Sequence, residues 1–115
     1  MLNVIALISF AIAAVIGIIL AALYAKGTLT VGGALLHGLL AVIGVLLLVI
    51  SVVQGNTNRI ENYSLILFIV AALGGLVLIS SHLTKGKLQK PVIGIHAVVA
   101  VISFLMLLSG VVGQK

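Results

Sequence analysis

Residues 31–53 read VGGALLHGLLAVIGVLLLVISVV, an apolar run with no charge and one titratable side chain, His37. As a helix it is long enough to cross the ~30 Å hydrocarbon core of a bilayer, for which ~20 residues suffice. Three more runs resemble it. No Asp, Glu, Lys or Arg precedes Lys26, and none lies between Lys26 and Arg59, between Glu61 and Lys85, or between Lys90 and Lys115. These gaps predict four transmembrane helices, roughly Leu2–Tyr24, Val31–Val53, Tyr63–Leu83 and Pro91–Val112. The runs are continuous rather than alternating, which excludes a transmembrane barrel.

Composition agrees. The 115 residues are 63% hydrophobic and 6% charged, too few charges to cover a soluble domain. There is no cysteine, so no disulfide, thiolate or iron–sulfur chemistry is available. The net charge of +5 is spread over loops, with no soluble domain to carry a nucleic-acid groove, so nucleic acid is not an expected partner. With Glu61 the only acidic residue, the chain cannot assemble a Ser–His–Asp set or a carboxylate acid–base pair. It has no self-contained catalytic machinery.

The second stretch that matters lies 59 residues after the first. Lys26, Gly27, Leu29 and His37 recur as Lys85, Gly86, Leu88 and His96, and Ala41-Val-Ile recurs as Ala100-Val-Ile. Leu46, Leu48, Val52 and Val53 recur as Leu105, Leu107, Val111 and Val112. Apolar matches arise easily by chance, so the lysine, glycine and histidine matches weigh most. The expected architecture is an all-α integral membrane four-helix bundle, up-down-up-down, built from a duplicated two-helix hairpin (residues 1–54 and 60–113). The first run has no basic segment before it, and its counterpart at Asn62–Leu83 argues that it is a retained helix, not a cleaved leader. Short connections favour antiparallel neighbours, which sets helices two and four on one diagonal and helices one and three on the other. Lys26, Lys85, Lys87 and Lys90 flank the hairpin loops, against Arg59 and Lys115 on the other side. That asymmetry places the loops in the cytoplasm and both termini outside, in a bacterial or archaeal cytoplasmic membrane.

Close helix packing in lipid uses small residues. On helix two Gly33, His37, Ala41, Gly44 and Ser51 share a face, and on helix four His96, Ala100, Ser103 and Gly110 do. On helix one the matching stripe is Ala14, Gly17 and Ala21; on helix three it is Ala71, Gly75 and His82. Both histidines therefore point inward, with Gly17 and Gly75 at about their depth. An ionisable side chain inside a membrane is costly and marks a candidate site. Neighbouring helices ~8–10 Å apart leave diagonal axes roughly 11–14 Å apart, room for a metal between two imidazoles at bonds near 2 Å. A bare divalent ion wants more than two ligands, whereas a haem iron takes two axial ligands.

With these residues the chain resembles the membrane b-type cytochromes, in which histidines on transmembrane helices hold haem inside a four-helix bundle. The resemblance spans the chain in outline and rests on His37, His96, Gly17 and Gly75. It implies one haem b with His37 and His96 as axial ligands, since the histidines share one depth. It implies that Gly17 and Gly75 admit the porphyrin edges. His82, with Lys85, Lys87 or Lys90, would then face the propionates; otherwise it is an interfacial histidine at a helix C-terminus. The implied function is electron transfer, with a quinone, a larger redox complex or a second copy of the chain as partner. A chlorin or a carotenoid would suit the same slot. The alternative is a non-catalytic membrane subunit or scaffold whose stripes bind partner helices and whose histidines only pair with backbone or hydroxyl groups. Small multidrug transporters and rotary-ATPase proteolipids are similar in size or in hairpin repeat. Both depend on a membrane-embedded carboxylate, and here Glu61 reads as a loop residue.

Overall fold

The computed structural model describes residues 1–113. It contains four helices: α1 (Leu2–Ala25), α2 (Val31–Val53), α3 (Arg59–Lys85) and α4 (Lys90–Gly113). Each is long and apolar enough to cross a membrane. Lys115, used above to weigh the two sides, lies outside the described residues. The helices form an elongated bundle of 43 × 19 × 19 Å. Extensive packing joins α1 to α2 and α3 to α4, and narrower seams join α2 to α3 and α1 to α4. The diagonal pairs, α1–α3 and α2–α4, keep their backbones apart and meet only through side chains. This is the ring order expected for consecutive antiparallel helices.

Local chemistry sets the helix ends. Thr30 opens α2 by accepting a bond from the Gly33 amide at 3.2 Å on its side-chain oxygen. Gly86 closes α3 in the left-handed region at φ 68°, where a side chain would be strained, and its amide donates to the His82 carbonyl. Helix α3 begins earlier than the charge gap suggested. Asn58 caps it, accepting from the Glu61 amide at 3.0 Å, while the Glu61 carboxylate accepts from the Asn58 amide at 2.9 Å. This reciprocal capping box carries Glu61 into the helix, where it is fully buried, so it is not a loop residue.

The core lies in one half of the bundle. Ala6, Phe10, Leu48, Phe68 and Leu107 form it, and the Phe10 and Phe68 rings stack at 3.7 Å with planes 2° apart. The buried residues of α1 run from Asn3 to Ala13, those of α2 from Gly44 to Ser51, and those of α4 from Ser103 to Gly110. On α3 they run from Glu61 to Ala71, with Ser81 as the one exception. The half carrying the chain termini is therefore tightly closed, and the half carrying the hairpin loops is looser. On α1 the inward face is Ala6, Phe10, Ala13 and Gly17; Ala14 and Ala21 are exposed, which corrects the expected stripe. Alanines surround this helix, so small size alone could not select its face.

Gly44 illustrates the tightness of the closed half. A Cβ there would stand 2.8 Å from two atoms of the Phe10 ring, which is itself pinned by Phe68. Gly44→Ala is expected to destabilise the bundle by about 1–3 kcal/mol through overpacking. Gly38→Ala, which meets nothing within 4 Å on the same helix, should be neutral or slightly stabilising. Thermal unfolding in detergent separates the two.

Candidate functional site

The two hairpins place their histidines in the same way. His37 on α2 donates from Nδ1 to the Ala13 carbonyl of α1 at 2.7 Å, and His96 on α4 donates from Nδ1 to the Ala71 carbonyl of α3 at 2.7 Å. A carbonyl only accepts, so Nδ1 carries the proton in both rings and Nε2 keeps its lone pair when the ring is neutral.

The glycines explain why the rings can reach those carbonyls. A helical side chain leans back over the turn before it, so the residue four positions on shields a given carbonyl. Here that residue is Gly17 for Ala13 and Gly75 for Ala71. A Cβ at Gly17 would lie 3.0 Å from Cε1 of His37, and one at Gly75 would lie 3.3 Å from Cε1 of His96. The glycines thus stand at the depth the sequence suggested, and the space they leave is taken by the imidazole of their own hairpin. Their direct role is to seat the histidines. The Ala-x-x-x-Gly pattern on α1 and on α3 is the sequence signal for these seats. It spaces equivalent α1 and α3 residues 58 apart, one less than the histidines, so the pairing of Asn3–Tyr24 with Asn62–Leu83 is one residue out of register with these contacts.

The seats bring the two rings together across the α2–α4 diagonal. Their centroids are 6.2 Å apart and their planes 80° apart. Two separate arrangements give this spacing. Two imidazoles sharing one metal at bonds near 2 Å would have ring centres roughly 6 Å apart. Edge-to-face aromatic contact covers about 4.5–7 Å. Both rings are only half-buried, because they sit where the closed half gives way to the looser one.

His82 does not join them. It lies in the last turn of α3, beside a recess of about 130 Å³ lined also by Tyr24, Gly27, Leu29 and Gly86. Among the described residues no group of three or more His, Cys, Asp or Glu side chains could hold a metal ion. The two imidazoles alone are fewer ligands than a bare divalent ion takes. At the opposite end Glu61, which the sequence reading left out of any site, accepts from Asn3 Nδ2 at 2.8 Å.

No family model, curated protein or solved structure matches the chain.

Proposed function

We propose that this chain is an integral membrane protein that holds one haem b between His37 and His96 and serves in electron transfer. The observation that carries the reading is the paired seat. Two histidines on diagonal helices have Nδ1 committed to backbone carbonyls and Nε2 left for a ligand, with ring centres 6.2 Å apart. A carbonyl bond at the far nitrogen is the usual partner of a metal-ligating imidazole; it fixes the tautomer and raises basicity. Haem would supply the one-electron chemistry, while the bundle sets its axial ligands and burial. His37 and His96 would be those ligands, and Gly17 and Gly75 would orient them by exposing the carbonyls of Ala13 and Ala71. Because both histidines lie at one depth, one haem is proposed. Passage of electrons across the full bilayer would then need a quinone, a larger redox complex or a second copy of the chain. The lysine-rich hairpin loops are assigned to the cytoplasm and the termini to the outside. In this reading the matched seats descend from one duplicated hairpin.

The 80° angle between the ring planes supplies a test. If His37 and His96 held one haem iron with their rings at this angle, the ferric protein would be expected to give a highly anisotropic low-spin electron paramagnetic resonance signal. A rhombic signal, as from parallel planes, or no low-spin signal would contradict the proposed geometry.

One observation favours a second reading. Each ring is already hydrogen-bonded and packed in the notch of its own hairpin, which needs no ligand. The chain would then be a non-catalytic membrane subunit, the histidines acting as clasps between helices. Co-purification of a stable partner that survives His37→Ala and His96→Ala, from a colourless protein, is the outcome that reading expects.

A further inference from the structure

The hairpin-loop end carries a feature that the histidine pair does not use. Tyr24 near the end of α1 donates from its hydroxyl to the Leu88 carbonyl at 3.2 Å, tying the first hairpin to the loop of the second hairpin. Two recesses at this end share Tyr24 as a wall. One, of about 580 Å³, is lined by Tyr24, Ala25, Lys90 and Ile93, and so opens along the narrow α1–α4 seam. The other is the recess beside His82. Lys26, Lys85, Lys87 and Lys90 are all exposed at this end, and the chain's one acidic residue is buried at the other.

We infer that this end binds the phosphate headgroup of an anionic phospholipid, with Lys90 as the donor and an acyl chain lying in the α1–α4 seam. The inference rests on the four helices crossing a bilayer and is independent of the haem reading. Two observations favour a lipid over a free anion. The larger recess is walled by Ala25 and Ile93 as well as by Lys90, and it lies at the end of two membrane-length helices. Basic recesses between transmembrane helices are established places for anionic headgroups, whose negative surface potential adds to the contact. Tyrosine is common at this level, its apolar ring lying against the chains.

The test is native mass spectrometry of the full chain released from detergent with phosphatidylglycerol or phosphatidylcholine added. Wild type is expected to retain phosphatidylglycerol over phosphatidylcholine by about fivefold or more, the scale of one cation near an anionic surface. The variant Lys90→Gln should lose that preference, and Arg59→Gln at the opposite end should keep it. Equal retention of the two lipids by wild type would overturn the inference. So would an unchanged preference in Lys90→Gln, or displacement of the lipid by inorganic phosphate alone, which would mark a free-anion site. Helical circular dichroism is read on every variant, so that loss of preference is scored only on folded protein. A chain that stays soluble without detergent would instead refute the membrane reading itself.

Discussion

His37→Ala and His96→Ala are each expected to abolish six-coordinate haem, with retained haem falling by more than the about 10–100-fold that loss of an outer-shell partner produces. Each substitution removes one of the two imidazoles, and the described residues hold no spare histidine beside them, since His82 lines a recess at the loop end. Gly17→Ala should behave as a partial version. Its Cβ would press to 3.0 Å from Cε1 of His37, so the ring must shift by a few tenths of an ångström, which strains its bond to the Ala13 carbonyl while the ligand itself remains. A loss of about 10–100-fold in haem retention is the scale for that outer-shell change. Gly75→Ala should be milder, because the corresponding approach to His96 is 3.3 Å. Haem per chain after purification, measured by pyridine haemochrome against protein, ranks the four variants. Under the clasp reading the same histidine substitutions would instead lower stability, by about 2–3 kcal/mol for a lost hydrogen bond and the void behind it, and leave colour at zero throughout.

Glu61→Ala is expected to cost about 3 kcal/mol or more of stability and to loosen the closed end of the bundle. The carboxylate is fully buried, and it accepts from Asn3 Nδ2 on α1 and from the Asn58 amide at the start of α3. Removing it deletes both bonds among groups with little access to water, where each lost partner costs about 1–3 kcal/mol. Asn58 also donates from Nδ2 to the Gly110 carbonyl at 2.9 Å, so the same cluster ties α1, α3 and α4. Glu61→Gln keeps the shape yet should still destabilise. Two donors converge on this side chain, and an amide can turn an acceptor toward only one of them. Gly110→Leu attacks the cluster from the other side, because a Cβ there would stand 2.6 Å from Cγ of Glu61 and 3.3 Å from its backbone nitrogen. Thermal unfolding in detergent, with Gly113→Ala as the unobstructed control, reads these effects.

The four helices were legible because charge is so scarce that its gaps outline them; α2 spans Val31–Val53 in sequence reading and structure alike. The start of α3 was missed for a local reason. Asn58-x-x-Glu61 is a capping box, but two polar residues beside Arg59 read as linker when weighed by hydropathy alone. The inward face of α1 was missed because Ala11, Ala13, Ala14, Ala21 and Ala22 offer small residues in several directions. Phe10, opposite Phe68, was the better guide to that face. For the site, the diagonal placement of His37 and His96 followed from short loops and the small-residue faces of α2 and α4. Their partners did not follow, because backbone carbonyls carry no sequence signature. Only the glycine that uncovers each carbonyl does, and it was first read as room for a porphyrin edge.

The most direct test of the central claim is the visible spectrum of the wild-type protein, expressed in its membrane with haem supplied, purified, and recorded oxidised and after dithionite reduction. The account predicts a six-coordinate b-type spectrum with sharp reduced α and β bands at one haem per chain. A colourless protein that remains folded and helical under those conditions would contradict it.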